Sequence, residues 1–201
     1  MILNNNVMNN KSIYIFLIFM IFLWGSFVVV SFFSDPMGFI SYLGFANSNS
    51  GTALSWALAL LIVILYCFSA AKISEVKYYM FRMDRLKVVT IFAAVFAGIM
   101  EEIIYRKWIM DYLNSHDFSI IWQVLLSGLA FGIIHLMWGI KNIKAGINAF
   151  ISTSLLGFAL AIVYLVSERS LAPCIVAHSI ITALIEPGLL IAAKKDKLGY
   201  W

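Results

Sequence analysis

Six predominantly apolar runs constrain what this chain can fold into: residues 12–33, 51–71, 88–110, 118–138, 145–166 and 171–193. A helix of about 20 apolar residues is long enough to cross a bilayer. Apolar residues make up 63% and charged residues 12% of the 201 residues, whereas a soluble domain carries about 25% charge. The sequence therefore predicts an all-α, polytopic transmembrane helix bundle of six spans. It excludes a disordered chain, a collagen-like fibre and an ordinary water-soluble globule.

The basic residues predict the orientation of the spans. With the N-terminus in the cytoplasm, the cytoplasmic segments hold most of the Lys and Arg residues, namely Lys11, Lys72, Lys77, Arg82, Arg85, Lys87, Lys141, Lys144, Lys194, Lys195 and Lys197. This distribution follows the positive-inside rule, so we expect both termini in the cytoplasm. Arg106, Lys107 and Arg169 are left for the outer side or the membrane. The net charge of +4 therefore indicates topology rather than a nucleic-acid partner.

The chain has no repeat, low-complexity tract or Pro/Gly linker. We expect a two-span anchor region at 1–87, a core at 88–193 and a basic tail at 194–201. The first run is longer than a secretory signal and no small-x-small cleavage site follows it, which favours a retained anchor. Cys67 and Cys174 lie inside apolar runs and are predicted to pack there. The tryptophans lie mostly near span ends, where interfacial anchoring is expected: Trp24, Trp108, Trp122, Trp138 and Trp201.

Ionisable residues inside the third run point to a site, since each costs roughly 2.5–3.5 kcal/mol to insert. The stretch EEIIYR places Glu102 and Arg106 four residues apart, so the two can pair on one helix face. Glu101 lies about 100° away around the helix and is left for another partner. The alternative is a span that ends near Met100 and leaves both glutamates among the headgroups, but such a span would be too short to cross.

The fourth and sixth runs carry the histidines. In FGIIH, Phe131 and His135 share one face, and Gly128 and Gly132 have the G-x-x-x-G spacing that lets helices approach closely. The sixth run sets a polar stripe of His178, Thr182 and Glu186 along one face. Glu186 precedes Pro187 and is expected near the helix end, as an interfacial carboxylate, and His116 is expected in a solvated turn.

Two glutamates and two histidines on three spans must satisfy one another, which predicts a shared polar cavity. A carboxylate beside an imidazole is a general-base pair that can activate water. Counted along straight helices, however, the depths of these residues differ by roughly 15 Å. Either tilt or an irregular segment must absorb that difference.

The motifs EEIIYR, FGIIH and HSIIT, in this order, resemble those of the CAAX-protease and bacteriocin-processing family (CPBP or Abi), which includes the type II CAAX prenyl endopeptidases. Its pattern is E-E-x-x-x-R, F-x-x-x-H and H-x-x-x-N. The resemblance covers residues 88–193. It implies an intramembrane endopeptidase whose core is this region and which acts on membrane-proximal, prenylated or bacteriocin-type peptides.

The resemblance also implies roles. Glu101 and His135 would activate a water, His178 and the residue at the position of the family's Asn would stabilise the oxyanion, and Glu102 and Arg106 would hold the site together. That Asn position is Thr182 here, and a hydroxyl has a shorter reach than a carboxamide. Loss of one oxyanion donor typically lowers the rate by about 10²–10³.

Several alternatives stay open at this point. Two histidines and a carboxylate could bind zinc, but the sequence has no H-E-x-x-H, and we favour metal-free hydrolysis without a cofactor. A non-catalytic bacteriocin self-immunity or scaffold protein could use the same fold. A proton-coupled transporter is less attractive because no inverted repeat is present. The expected partners are a peptide substrate and the bilayer of a cell membrane, not nucleic acid. The abundance of Asn, Ile, Lys and Phe fits an AT-rich bacterial genome.

Overall fold

A computed structural model describes residues 11–46, 50–140 and 142–198, and this part of the chain is helical without a strand. Its elements, in chain order, are α1 (Lys11–Ser34), α2 (Pro36–Tyr42), α3 (Ala53–Ala70), α4 (Ser74–Tyr79), α5 (Arg85–Glu102), a π-helix (Ile103–Met110), α6 (Asp111–Ser115), α7 (Ile120–Ile134), a 3₁₀ turn (His135–Gly139), α8 (Ile143–Val166) and α9 (Ala172–Lys194). The predicted all-α class is confirmed.

In the described part of the chain, six helical segments are long and apolar enough to cross a membrane: Lys11–Ser34, Ala53–Ala70, Arg85–Ser115, Ile120–Gly139, Ile143–Val166 and Ala172–Lys194. They agree with the six predicted runs to within a few residues. The third span joins α5, the π-helix and α6 over 31 residues. The helix therefore does not end near Met100, and both glutamates lie well inside it. Their place relative to the headgroups stays a prediction.

Small residues bring α7 and α8 into backbone contact, as the G-x-x-x-G spacing predicts. A Cβ added to Gly157 would lie 2.8 Å from the Gly128 Cα, and one added to Gly132 would lie 2.9 Å from the Phe150 carbonyl oxygen. The axes of the two helices can approach this closely only because these positions lack a side chain.

α9 is the most buried of the six spans. It packs against α3, α4 and α5, and a Cβ added to Gly98 of α5 would lie 3.3 Å from the Ser179 nitrogen. Cys174 of α9 is buried, and so is Cys67 of α3; both are free thiols, as the packing prediction requires. The central place of α9 brings its histidine to the middle of the bundle.

Lys87, which was counted with the cytoplasmic segments, lies inside a helix rather than between two spans. It lies in the first turn of α5, is buried, and donates from Nζ to the carbonyl oxygens of Met80 (3.0 Å), Ala183 (2.8 Å) and Leu184 (3.3 Å). The reason lies in α9, where Pro187 has no N–H to donate to the Ala183 carbonyl. The ammonium of Lys87 supplies the missing donor. Lys141, another residue counted for topology, lies outside the described residues, and the orientation of the spans stays a prediction.

The tryptophans were expected mostly near span ends, and Trp122 and Trp138 lie there. Trp24 lies in the middle of α1, and Trp108 lies seven residues before the end of the third span. Trp201 lies outside the described residues.

His116 is exposed just after α6, as predicted for a turn. On the side expected to face outward, Lys107 and Arg169 share one partner, Asp111, at 3.3 Å and 2.7 Å.

Candidate active site

The third span changes from α to π geometry directly after the glutamate pair, at Ile103. A π-helix replaces i→i+4 by i→i+5 hydrogen bonds and is found frequently at functional sites. The Tyr105 carbonyl within it accepts a hydrogen bond of 2.8 Å from the Ser127 hydroxyl of α7. The irregular segment is thus tied to the neighbouring helix.

Glu102 and Arg106 form a fully buried ion pair, with Glu102 Oε2 2.9 Å from Arg106 Nε. The predicted i,i+4 pairing is confirmed, although the contact lacks the angle of a directed hydrogen bond. Arg106 also donates from Nη2 to the Gly157 carbonyl at 3.3 Å, and its guanidinium carbon lies 5.2 Å from the centre of the Phe131 ring. The pair therefore links the third span to α7 and α8.

His178 on α9 joins both glutamates. Its Nδ1 lies 2.7 Å from Glu102 Oε1 and its Nε2 lies 3.7 Å from Glu101 Oε2. Because a carboxylate oxygen accepts, the Nδ1 of His178 is the donor in the short contact. Nε2 is then the ring atom that faces Glu101.

His135 starts the 3₁₀ turn that follows α7. Its Nδ1 lies 2.8 Å from the Phe131 carbonyl oxygen. Since a carbonyl oxygen only accepts, Nδ1 carries the hydrogen, and Nε2 of the neutral ring is free to accept one. A π-helix thus follows the glutamates, and a 3₁₀ turn begins at this histidine. Irregular segments are one of the two predicted ways to absorb the difference in depth between the site residues.

Phe131 lies at the centre of the aromatic contacts. Its ring centre is 4.9 Å from the ring of His135, 5.5 Å from that of His178 and 5.2 Å from that of Tyr105, all in edge-to-face geometry. Edge-to-face aromatic pairs at such distances are favourable beyond their buried area. One buried phenylalanine therefore fixes both imidazoles and explains why an F-x-x-x-H spacing suits this site.

A cavity of about 610 Å³ opens beside these groups. Of the predicted site residues, four line it, namely Glu101, His135, His178 and Thr182, while Glu102 and Arg106 are buried behind them. The predicted shared cavity is thus present. The sequence-based interpretation missed several polar cavity residues, which are Trp24, Tyr66, Tyr105, Ser152 and Thr153. The sequence signals for these cavity residues were the hydroxyl groups within an apolar span and the tyrosine inside EEIIYR.

Glu186 also lines the cavity, and the expectation that it lies at a helix end was wrong. α9 continues past Pro187 to Lys194, and Lys87 donates to the Ala183 carbonyl, which the proline leaves without a donor. His178, Thr182 and Glu186 therefore form the continuous stripe that their spacing predicts.

A zinc ion does not fit the donor set that the structure presents. Within residues 11–46, 50–140 and 142–198, no three His, Cys, Asp or Glu side chains are arranged to hold a metal. We derive no step through a metal.

Fold and site together define a multi-pass membrane protein with a buried Glu–His–Arg constellation on the wall of an internal cavity. The family model described as type II CAAX prenyl endopeptidase Rce1-like matches residues 84–184, about half of the chain and all three motifs. The chain belongs to this Rce1-like family, which confirms the resemblance to type II CAAX prenyl endopeptidases. No curated protein and no solved structure matches the chain.

Proposed function

We propose that this protein is an intramembrane endopeptidase that hydrolyses membrane-proximal peptides with a water activated by Glu101 and His135. One observation carries the proposal: Glu102 orients His178 so that its Nε2 lies 3.7 Å from Glu101, on the wall of a cavity that His135 also lines. Membership in a protease family supports the same reaction class.

In the proposed reaction, Glu101 takes a proton from a water whose other hydrogen is bonded to His135 Nε2. The water oxygen attacks the peptide carbonyl carbon and forms a tetrahedral oxyanion. Collapse of this intermediate breaks the C–N bond, and Glu101 returns its proton to the leaving nitrogen. The products are a new carboxylic acid and a new amine, which ionise to a carboxylate and an ammonium group, and Glu101 ends as it began.

His178 and Thr182 are the proposed oxyanion donors. A protonated Nε2 of His178 and the Thr182 hydroxyl, one turn further along α9, both face the cavity. Glu102 and Arg106 are positioning residues, because Glu102 contacts His178 and Arg106 contacts Glu102, both from behind the cavity wall. A hydroxyl in place of a carboxamide weakens the oxyanion site, so we expect slower turnover than Asn at this position would give.

The experiment compares membrane peptides from cells that express the wild type, Glu101→Gln, His135→Ala and the control Glu168→Gln. Glu168 is an exposed carboxylate outside the cavity. We expect new peptide termini with the wild type and the control and none with the two site variants, all four proteins being folded by circular dichroism. Cleavage retained in Glu101→Gln would reject the proposed base.

A non-catalytic immunity or scaffold role is the second candidate, and the Thr182 departure favours it. This role uses the cavity to bind a peptide or a membrane partner without cleaving it. It predicts that Glu101→Gln, which is nearly isosteric, leaves the cellular phenotype unchanged, whereas the proposed peptidase loses it.

A further inference from the structure

Glu186 is an acidic cavity residue that the proposed mechanism does not use. It lies well inside the 23-residue helix α9, within a candidate membrane span. Its side chain has no ion pair or hydrogen bond to any residue of the described chain, whereas Glu101 and Glu102 both contact His178. A carboxylate within a span is costly, and one without an ion pair or hydrogen bond to any described residue points to an external partner.

The place of Glu186 along α9 relates it to the proposed reaction site. His178, Thr182 and Glu186 line the cavity at successive turns, so Glu186 lies about 12 Å along the helix axis from His178. An extended peptide covers about 3.3–3.6 Å per residue. A substrate whose scissile bond lies at His178 therefore brings a residue three to four positions away beside Glu186.

The cavity that Glu186 lines fits a cation on an aliphatic stem. The cavity wall includes Ile185, Leu189, Phe16 and Leu17, and no Lys or Arg is among the described residues that line it. Lysine and arginine bury their methylene stems against apolar surface, and their charged ends form strong hydrogen bonds with carboxylates. An acidic group in an apolar wall thus selects for a basic group of the peptide.

The backbone around Glu186 is fixed from both sides. Lys87 Nζ binds the carbonyl oxygens of Ala183 and Leu184, just before Glu186. Just after it, Gly188 packs so closely on α4 that an added Cβ would lie 2.7 Å from the Glu75 carbonyl oxygen. A subsite needs a carboxylate held in a defined position, and these contacts provide it.

We infer that Glu186 is a specificity-determining residue that binds a cationic group of the substrate, three to four residues from the cleaved bond. This inference rests on the proposed function. The cation is a lysine or arginine side chain or the free α-amino group of a short peptide, and the test separates these sources.

The test measures binding without turnover. Dye-labelled peptides with lysine or norleucine at each of positions two to six on either side of a central bond, with free or acetylated N-termini, are titrated by fluorescence anisotropy against Glu101→Gln in detergent. We expect a peptide with lysine three or four residues from the central bond to bind about tenfold or more tightly than the same peptide with norleucine there, as for one charge-assisted hydrogen bond. A tightening that depends on the free N-terminus instead identifies the α-amino group as the cation.

Variants then assign the effect. Added to Glu101→Gln, Glu186→Gln is expected to bring the lysine-to-norleucine ratio close to one, Glu186→Asp to keep part of it, and Glu168→Gln to keep all of it. Equal binding of the entire peptide series, or a lysine preference that survives Glu186→Gln, would overturn the inference. Failure of the proposed function appears differently, as absence of cleavage by the wild type while the binding preference persists.

Discussion

Arg106 has no access to water, so every partner of its guanidinium must come from the protein. It pairs with Glu102, donates to the Gly157 carbonyl and faces the Phe131 ring. A planar guanidinium serves three directions at once, which a lysine ammonium cannot do with the same geometry. The arginine therefore connects three spans around one carboxylate, and that carboxylate orients His178.

Replacement of Arg106 by methionine should leave the buried Glu102 carboxylate without its cation. We expect a loss of roughly 3–5 kcal/mol of stability, as for breaking a buried ion pair, measured by denaturant titration in detergent. Arg82→Met is the matched control, because Arg82 is exposed and pairs with Asp84 at 3.3 Å on the surface. A midpoint for Arg106→Met equal to that of the control would contradict the account.

The ion pair could be predicted from the sequence, but its connection to His178 could not. Glu102 and Arg106 are four positions apart on one helix, so local geometry alone brings them together. The bond between Glu102 and His178 joins residues 76 positions apart and depends on how α5 and α9 pack. The same limit applies to Lys87, whose burial follows from a proline on a different helix.

The contact between α7 and α8 depends on residues without side chains. Gly157→Ala places a methyl group 2.8 Å from the Gly128 Cα, so the two backbones must separate. We expect overpacking to destabilise the protein by about 1–3 kcal/mol. We also expect the contact between Arg106 and the Gly157 carbonyl to be lost. Denaturant titration measures the first effect.

Gly25→Ala serves as its control, since the added methyl would meet the Phe96 ring at 3.1 Å, and a side chain moves more easily than backbone. If Gly157→Ala costs no more than Gly25→Ala, close backbone packing is not what holds α7 on α8.

The short helix α4 forms a junction with the turn after α9. The Glu75 carboxylate is 2.7 Å from Lys197 Nζ and 3.4 Å from Lys195 Nζ. The hydrogen bonds from Lys197 and Ser74 lower the pKa of Glu75 from 4.5 to about 2. Because the folded pKa lies below the unfolded one, this junction stabilises the protein fully above about pH 4.5 and loses its effect as the pH falls toward 2.

The pH dependence gives a direct prediction for Glu75→Gln. Between pH 6 and pH 3 the thermal unfolding temperature should fall less in this variant than in the wild type, since the variant lacks the titrating group. Glu168→Gln should behave as the wild type. A fall of equal size in Glu75→Gln and the wild type would show that the junction does not contribute.

Considered as a whole, the molecule shows which properties follow from local sequence. Six spans could be predicted because length and hydrophobicity decide membrane crossing, and the cavity could be predicted because buried polar groups need one another. The irregular segments at Ile103 and His135 could not, since each is a response to packing between spans. The part of the cavity wall formed by α1, with Trp24 and Leu17, could not be predicted either, because the first span carries no motif.

The division into an anchor region at 1–87, a protease core at 88–193 and a tail at 194–201 stays a prediction. The contribution of α1 to the cavity indicates that the first span shapes the site as well as holding the protein in the membrane. A substrate that enters the cavity meets residues from both regions.

Oxygen-18 labelling shows whether this cavity hydrolyses peptide bonds with water. Purified protein in vesicles is incubated with membrane peptides in oxygen-18 water, and mass spectrometry follows newly formed carboxyl termini. The account predicts labelled new termini with the wild type and Glu168→Gln and none with Glu101→Gln. New termini absent from the wild-type sample, or labelled equally with Glu101→Gln, would contradict it.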